Sequence, residues 1–194
     1  MLKAKLQKYK IILASGSPRR QQFFKDLDLD FEIRLKDIEE IYPDDLQGVE
    51  ITNYLAQLKA NAFDGEIAGN EILVTSDTIV WLNSKALGKP KNYDDAFAIL
   101  KSLSNETHEV ITSVCFKTID KTETIFEVTK VTFNTLSDEA IRYYLDNYKP
   151  FDKAGAYGIQ EWIGLVGITR IDGSYTNVVG LPTEKVYLYL SKYI

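Results

Sequence analysis

The most constraining feature of the sequence is an aspartate inside an apolar stretch. Residues 72–82 read Ile-Leu-Val-Thr-Ser-Asp-Thr-Ile-Val-Trp-Leu. Apolar and β-branched residues on both sides predict a strand in or beside a sheet core, broken at Ser76-Asp77-Thr78. A bare carboxylate buried there costs several kcal/mol unless a cation or strong donors meet it. The stretch therefore predicts either a site in which Asp77 meets a metal ion or a lysine, or a carboxylate bonded to backbone at a bulge.

Strand-like and helix-like segments alternate around this stretch. Strands are predicted at 11–14, 31–34, 107–119 and 124–134, the last two forming a hairpin that closes near 120–121. Helices are predicted over 18–27 and 51–63, and others start at Asn92, Ser137 and Pro182. Residues 154–180 are rich in glycine and turn residues. The alternation has no strict βαβ rhythm, so we predict an α/β (mixed α+β) fold with a central mixed sheet.

Composition limits the classes of partner. The 194 residues are 45 % hydrophobic and 26 % charged, which is typical of one globular domain over 1–194, with room for two lobes around a cleft. The formal net charge of −5 gives no overall positive field for a nucleic acid backbone, so we expect no nucleic acid partner. A small anionic substrate would need a local basic site.

The cysteine count and the lengths of the apolar runs indicate the cellular compartment. The single cysteine, Cys115, cannot form an intramolecular disulfide, which favours a reducing compartment. Residues 1–10 are lysine-rich and lack the apolar run of a signal peptide. The apolar runs are far shorter than a membrane span. We therefore expect a cytoplasmic protein that does not use a membrane.

Residues 15–20, Ser-Gly-Ser-Pro-Arg-Arg, lead from a strand into a helix. The turn carries Ser15 and Ser17, and the helix N-terminus presents amide groups and a positive dipole end that suit a phosphate. Arg19 and Arg20 are unfavourable near that dipole end, a conflict that an anionic ligand would remove. The alternative is that both arginines are solvated surface residues. The segment is not a Walker A loop, because no Lys-Ser/Thr follows a glycine at that spacing.

Three further charged positions carry weaker signals. Lys89 lies between Gly88 and Pro90, on a stiff turn that suits either a phosphate contact or a plain surface turn. Lys59, near the end of an amphipathic helix, and Glu40, in an acidic loop, would by themselves be solvated residues.

Two segments of small residues, 152–160 and 173–182, allow backbone to approach a ligand or another strand closely. Tyr157 beside the Gln160 amide could frame the edge of a base, or each segment could simply pack in the core. His108 is expected to be structural, since no Gly-x-Ser-x-Gly elbow presents a serine for a triad. Cys115 lies in an apolar run and is expected to behave as a buried hydrophobe.

Taken in order, these segments resemble the Maf family of nucleotide pyrophosphatases. The matching pieces cover nearly the whole chain and are residues 13–20, 76–80, 88–90, 152–160 and 173–182. The resemblance implies a bilobal Maf/ITPase-like fold with a deep cleft, a divalent metal (Mg²⁺ or Mn²⁺), a homodimer, and hydrolysis of a nucleoside triphosphate between its α and β phosphates. The Gly-Ile-Gln ending at 158–160 is similar to the branch that prefers dTTP and UTP.

The resemblance also implies roles for individual residues. Asp77 matches the catalytic acid that accepts a proton from water, and Glu40 matches an acid close to the metal, so both are predicted metal ligands. The predicted phosphate contacts are Lys59, Lys89, Arg19 and Arg20, with Ser15 and Ser17 in the same turn. Arg20, Thr78 and Gln160 would tune substrate choice.

The sequence departs from the family pattern at residues 161–165, which differ from the usual continuation and are one residue longer. This difference leaves the exact substrate open. Two other functions also stay open: a non-catalytic nucleotide-binding regulator of septum formation, and a house-cleaning hydrolase for modified nucleotides.

Overall fold

A computed structural model describes residues 2–193 of the chain as a mixed α/β structure. The strands are β1 (Lys10–Leu13), β2 (Phe31–Ile33), β3 (Glu71–Leu82), β4 (Lys85–Leu87), β5 (Thr107–Lys117), β6 (Thr122–Phe133) and β7 (Ile168–Asp172). The α-helices are α1 (Leu2–Lys5), α2 (Pro18–Asp26), α3 (Val49–Asn61), α4 (Tyr93–Leu103), α5 (Asp138–Tyr148), α6 (Trp162–Gly167), α7 (Tyr175–Val179) and α8 (Thr183–Leu190). Short 3₁₀ turns cover Ala154–Ala156 and Ser191–Tyr193.

The strands form one seven-stranded sheet in the order β2-β1-β3-β5-β6-β7, with β4 paired to β3. Strand β1 runs parallel to both β2 and β3, whereas β4 is antiparallel to β3 and β7 is antiparallel to β6. The prediction of a mixed sheet is therefore confirmed. The apolar residues of β1 are all buried, as expected of a strand between two parallel neighbours.

The predicted break in the strand at Ser76-Asp77-Thr78 is wrong, because β3 runs without interruption from Glu71 to Leu82. The polar residues of this strand stay in the sheet because partners meet them there. The Thr75 hydroxyl donates to the Ala56 carbonyl oxygen at 2.6 Å, and Asp77 accepts a hydrogen bond from Lys59. A satisfied polar group removes the cost that would otherwise drive it out of the sheet.

Most of the other predicted elements are confirmed, and two of the predicted helix N-caps form the expected hydrogen bonds. Asn92 accepts a hydrogen bond from the Asp95 amide at 2.9 Å, which caps α4. Ser137 caps α5 in the same way, through the Ala140 amide at 3.1 Å. Strands β5 and β6 are joined by a tight turn in which the Thr118 amide donates to the Lys121 carbonyl oxygen at 2.8 Å, close to the predicted 120–121.

Residues 154–180 hold more regular structure than their turn-rich sequence predicts, namely α6, β7 and α7. Strand β7 is mostly exposed and has no clear alternation of apolar residues. It forms because β6 offers it a partner, with Val131 opposite Ile171 and Lys130 opposite Asp172. Such pairing depends on long-range contacts, which a local pattern does not reveal.

The chain divides into two compact units. Unit 1 comprises the described residues up to Asp77, residues 112–127 and the described residues from Gly180 onward. Unit 2 comprises residues 78–111 and 128–179. Strands β3, β5 and β6 each contribute residues to both units. A single domain and a cleft between lobes stay predictions.

Each unit has its own apolar core. In unit 1, Phe24 of α2 and Val186 of α8 pack with Ile72 of β3, whereas Ala56 of α3 packs with Leu73. Successive strand residues point to opposite faces of a sheet, so the two sets of helices cover opposite faces of β3. In unit 2, helices α4 and α5 pack their apolar faces into one cluster with the ends of β3, β5 and β6. Among residues 2–193, no helix combines the length and the apolar character required to cross a membrane.

Candidate active site

Asp77 is buried at the end of the unit 1 part of β3, with 9 % of its side chain exposed. Lys59 Nζ donates a hydrogen bond to Asp77 Oδ1 at 2.6 Å. The small buried residues Ala56 and Ala60 allow α3 to lie close against β3, and the Thr75 hydroxyl is bonded to the helix backbone. This close packing brings Lys59, in the last turn of α3, onto the carboxylate.

Lys59 also forms an ion pair with Glu40, whose Oε1 lies 2.8 Å from Nζ. The Lys59 side chain is 16 % exposed and that of Glu40 is 44 % exposed. The predicted residues Asp77, Glu40 and Lys59 therefore meet at one ammonium group. Neither Lys59 nor Glu40 is a simple solvated residue, which was the plainer of their two interpretations.

The electrostatic balance at Asp77 favours a further cation. Burial raises the pKa of Asp77 above its usual value, while the positive charges of Lys59 and then Arg20 counteract part of that effect. The negative charge of Glu40 raises the pKa of Asp77 as well. The ionised form of Asp77 is still disfavoured although the charges of Lys59 and Arg20 stabilise it. Additional positive charge would therefore stabilise the ionised carboxylate further.

Arg20 extends from α2 toward the same region of unit 1. Its Nε donates to the Gly180 carbonyl oxygen at 2.8 Å, and its Nη1 donates to the Ser76 carbonyl oxygen at 3.0 Å. Nη1 also lies 3.5 Å from the Ser15 hydroxyl. Burial lowers the pKa of Arg20, but a guanidinium group stays charged at neutral pH. Arg20 thus ties the turn before α2 to the residue that precedes Asp77, and is not a solvated surface residue.

Hydrogen bonds within the turn and from α2 hold residues 15–17 in place. Ser15 is buried, and its hydroxyl accepts a hydrogen bond from the Ser17 amide at 3.3 Å. Gln21 of α2 donates to the Ser15 carbonyl oxygen at 3.1 Å. Ser17 occupies the predicted N-cap position before Pro18, but its hydroxyl makes no capping bond. The neighbouring Arg19 is partly buried.

The described residues 2–193 contain no group of three or more His, Cys, Asp or Glu side chains placed to hold a metal ion. Asp77 and Glu40 do share one cationic partner, Lys59 Nζ, so two carboxylates already converge on positive charge. Mg²⁺ in nucleotide enzymes is commonly held by one or two carboxylates and the phosphates of the substrate. Asp77 and Glu40 therefore fit a hard divalent cation whose other ligands come from water or from a bound molecule.

The other predicted site residues belong to unit 2. Thr78, which follows Asp77 in the sequence, is partly buried, and Lys89 is exposed on its turn. The Gly155 amide donates to the Gly88 carbonyl oxygen at 3.1 Å, so the segment 152–160 is bonded to the turn that carries Lys89.

Gly155 holds the segment 152–160 close to β3, a role that the sequence did not specify. Its φ of +69° is in the left-handed region, and a Cβ atom there would lie 2.6 Å from Val80 Cγ2. Only glycine allows this close approach to β3. The density of small residues in 152–160 was the available signal, but it could not say which glycine makes the contact.

Gln160 is exposed, whereas Tyr157 is buried with 6 % exposure. The Tyr157 hydroxyl is hydrogen-bonded to His108 Nε2 at 2.8 Å, and its ring packs edge-on against Phe133. The suggestion that Tyr157 frames a base is therefore wrong, because its ring is buried in the core and packed against Phe133. The structural interpretation of His108 is confirmed, and burial lowers its pKa to about 4. Cys115 is buried and free, as expected.

Comparison with known proteins identifies close relatives. The family model described as Maf-like protein matches residues 10–193. The dTTP/UTP pyrophosphatase of Flavobacterium psychrophilum is 76 % identical over 190 residues, which cover 98 % of this chain and 97 % of the relative. That of Flavobacterium johnsoniae is 73 % identical, covering 98 % of each chain, and that of Christiangramia forsetii is 50 % identical, covering 99 % of this chain and 98 % of the relative.

Among solved structures, the Ham1 protein of Staphylococcus aureus is similar at a TM-score of 0.49 and 16 % identity. The match covers 64 % of this chain and 71 % of Ham1.

Proposed function

This chain belongs to the Maf-like protein family, and on that premise we propose that it hydrolyses dTTP and UTP, each to its nucleoside monophosphate and pyrophosphate. Similarity over nearly the full chain to relatives named dTTP/UTP pyrophosphatase supports the proposal. The observation that carries it is the buried Asp77 carboxylate, which is bonded to Lys59 at 2.6 Å and adjoins the backbone that Arg20 contacts. That arrangement offers a base and positive charge to a phosphorylated substrate. No observation favours the non-catalytic regulator.

Asp77 is the proposed proton acceptor. Lys59 binds Oδ1 and fixes the orientation of the carboxylate, so Oδ2 is the atom proposed to take the proton from the attacking water. Burial raises the pKa of Asp77, which brings its basicity closer to what a general base needs near neutral pH. Attack at the α phosphorus then breaks its bond to the bridging oxygen and releases pyrophosphate.

Positive charge is proposed to stabilise the pyrophosphate as it leaves. In unit 1, the proposed phosphate contacts are Lys59, Arg19 and the N-terminus of α2. From the family resemblance alone, Lys89 is proposed as a further phosphate contact. Ser15 and Ser17 are proposed to present the turn before α2 to a phosphate. Arg20, Thr78 and Gln160 are proposed to influence substrate choice.

A divalent cation is part of the proposal, with Asp77 and Glu40 as the residues that would hold it. Mg²⁺ or Mn²⁺, when bound, would neutralise phosphate oxygens and lower the pKa of a coordinated water. Lys59, which forms an ion pair with each carboxylate, would limit the movement of both.

The cellular setting is also proposed. We place the enzyme in the cytoplasm, where its nucleotide substrates are found and where a free thiol such as Cys115 stays reduced. We also propose that it contributes to house-cleaning of nucleotides and to arrest of cell division. A homodimer is proposed from the resemblance, and the molar mass measured by light scattering during size-exclusion chromatography would test it.

We further propose that residues 1–194 act as a single domain. Strands β3, β5 and β6 supply residues to both units, so breaking one unit would disrupt strands of the other. One calorimetric transition, with equal calorimetric and van't Hoff enthalpies, is expected. Two separated transitions would refute this proposal.

The activity is tested with a panel of canonical and modified triphosphates, each incubated with Mg²⁺ and with its products identified. We expect dTTP and UTP to be the preferred substrates and pyrophosphate, not orthophosphate, to be released. Hydrolysis in H₂¹⁸O should place the label in the monophosphate, because water attacks the α phosphorus. Label in the pyrophosphate would contradict the proposed mechanism.

The catalytic role of Asp77 is tested with Asp77→Asn. Turnover should fall by about 10²-fold or more, the usual scale for loss of a positioned base. The matched control is Asp26→Asn, which removes an exposed carboxylate that accepts a surface hydrogen bond from Gln22. Near wild-type pyrophosphate release by Asp77→Asn would overturn the assignment.

A further inference from the structure

Glu161, the residue after Gln160, is the centre of a polar cluster within unit 2. The Tyr144 hydroxyl donates a hydrogen bond to Glu161 Oε2, and Lys153 Nζ lies 3.2 Å from Glu161 Oε1. Tyr144 lies on α5, whereas Lys153 lies at the opposite end of the segment from Glu161. The carboxylate therefore joins both ends of residues 153–161 to one helix.

The backbone of the segment takes part in the same cluster. The Gly158 amide donates to the Tyr144 hydroxyl at 3.0 Å, and the Glu161 amide donates to the Gly158 carbonyl oxygen at 3.0 Å. A Cβ atom at Gly158 would lie 2.8 Å from Glu161 Cδ, so a larger residue would displace the carboxylate. Residues 158–161 are thus a closed turn fastened by Tyr144.

Gln160 is the exposed residue of this closed turn. Ile159 before it is buried with 5 % exposure, and the Glu161 side chain after it is 19 % exposed. Tyr144 is fully buried, and the Lys153 side chain is 11 % exposed. With both neighbours fixed, the backbone of Gln160 has little freedom, and its side chain is directed outward.

A purely structural role for this cluster is the plainer alternative. Buried ion pairs and polar networks add little net stability compared with apolar residues of similar size. An apolar residue at 161 could fill the same volume, but it could not hold both the Tyr144 hydroxyl and the Lys153 ammonium group. The polar cluster therefore provides a fixed geometry next to Gln160 more than it provides stability.

We propose that Glu161 is a positioning residue for Gln160. Through Tyr144 and Lys153 it sets the place of the Gln160 amide, and thereby the discrimination between pyrimidine bases that differ at position 4. An amide carries one acceptor and two donors, so it can pair with the carbonyl and the ring N–H of uracil or thymine. Cytosine presents an amino group there and needs the amide in another orientation. This inference rests on the proposed function.

The test compares kcat/KM for UTP and CTP, which differ only at that edge of the base. Tyr144→Phe removes one hydroxyl and keeps the ring, and Glu161→Ala removes the carboxylate. Each should lower the preference for UTP over CTP by about 3- to 10-fold, the scale of one well-placed hydrogen bond. Most of the change should appear in KM for UTP. Glu161→Gln, which can still accept from Tyr144, should restore part of the preference.

A double-mutant cycle separates positioning from simple support of the fold. Adding Glu161→Ala to Gln160→Ala should not change the UTP/CTP ratio further, because the amide that Glu161 positions is already gone. Equal losses for UTP and CTP, or effects that add in the double mutant, would overturn the inference. If Glu161→Ala fails to fold, Tyr144→Phe and Glu161→Gln carry the same comparison. A wild-type enzyme that does not hydrolyse UTP would refute the proposed function instead.

Discussion

Lys59 Nζ lies 2.6 Å from Asp77 Oδ1, so the proposed catalytic base is held by a cation from the last turn of α3. The lysine has two effects on the carboxylate. It fixes the orientation of the carboxylate, and its charge counteracts the rise in pKa that burial causes. Both effects are open to experiment.

Lys59→Met should shift the acidic limb of the pH profile of kcat/KM to higher pH. Burial raises the pKa of Asp77 and Lys59 lowers it, so removal of the lysine charge raises that pKa further. A base acts only when deprotonated, so a higher pH is then needed to reach full activity. The profile is measured with UTP over the acidic and neutral range.

The control for this change is Lys59→Arg, which keeps a positive charge beside Asp77. Its acidic limb should stay close to that of the wild-type enzyme. An acidic limb of Lys59→Met that does not move, or moves to lower pH, would show that Asp77 is not the group whose titration limits the reaction.

Asp77→Asn should lower activity without lowering stability at neutral pH. A carboxyl whose pKa is raised in the folded state stabilises the protein below its unfolded pKa, and loses that contribution as pH rises through the folded pKa. Ionisation of the buried Asp77 is therefore a cost that asparagine avoids. The free energy of unfolding, measured in urea, should be unchanged or higher, within about 1 kcal/mol.

Glu71, also buried on β3, is the contrasting carboxylate. The Arg34 guanidinium donates two hydrogen bonds to it and, as the largest effect, lowers the pKa of Glu71. Glu71→Gln should destabilise the protein at pH 7 by about 1.5–3 kcal/mol, the range for hydrogen bonds to a charged group. If both variants lost stability to the same extent, the contrast between a functional and a structural carboxylate would be wrong.

Removal of divalent metal with EDTA should abolish hydrolysis, and addition of Mg²⁺ or Mn²⁺ should restore it. Asp77 and Glu40 are only two carboxylates, so the protein alone should bind Mn²⁺ weakly. Binding should tighten when a non-hydrolysable dTTP analogue supplies phosphate oxygens. Titration of Mn²⁺, followed by electron paramagnetic resonance with and without the analogue, measures this coupling. Tight binding to the protein alone would indicate a resident metal centre.

Some helices and strands of this fold could be predicted from the sequence, and others could not. Helices with strong end signals, such as the one that Asn92 caps, were predictable because the cap is a local interaction. Strand β7 was not, because its pairing with β6 is a long-range contact and its own residues are mostly exposed. The break expected at Asp77 failed for a related reason, since Lys59, 18 residues away in the chain, satisfies the carboxylate within the strand.

In the candidate active site, too, the sequence reveals local features but not the long-range contacts. Residue types identified Asp77 and Arg20 as notable, because a carboxylate in apolar sequence and an arginine near a helix N-terminus each conflict with local preference. The partners that resolve those conflicts, including the Gly180 carbonyl oxygen that Arg20 contacts 160 residues away, come from the fold. Tyr157 shows the opposite error, since an aromatic residue in a glycine-rich segment looked available to a ligand but is packed against His108.

Gly155→Ala should impair both stability and activity. The added Cβ would lie 2.6 Å from Val80 Cγ2, and the φ of +69° disfavours any L side chain. We expect a loss of about 1–3 kcal/mol in the free energy of unfolding. The Gly155 amide also holds the Gly88 carbonyl oxygen, so the turn with Lys89 should shift and KM should rise.

Gly69→Ala is the matched control for this substitution, because no heavy atom of the described residues beyond its two chain neighbours lies within 4 Å of the Cβ position at Gly69. It should behave as the wild-type enzyme in both measurements. Adding Val80→Ala to Gly155→Ala should recover part of the stability by making room for the new methyl group. Wild-type stability of Gly155→Ala would show that the approach to β3 is less tight than the structure indicates.

His108 should make the protein progressively less stable below neutral pH. Burial lowers the pKa of His108 to about 4, from an unfolded value of 6.5. Between these two pH values, the unfolded chain binds a proton at His108 and the folded chain does not. The stability contributed by the neutral ring is complete above pH 6.5 and is lost as pH falls toward 4, by on the order of 3 kcal/mol. Urea unfolding at several pH values across this window measures the slope. His108→Gln keeps a polar group near the Tyr157 hydroxyl and cannot titrate, so its stability should vary less with pH, even if it is lower at pH 7. An identical slope in both proteins would assign the acid sensitivity to other groups.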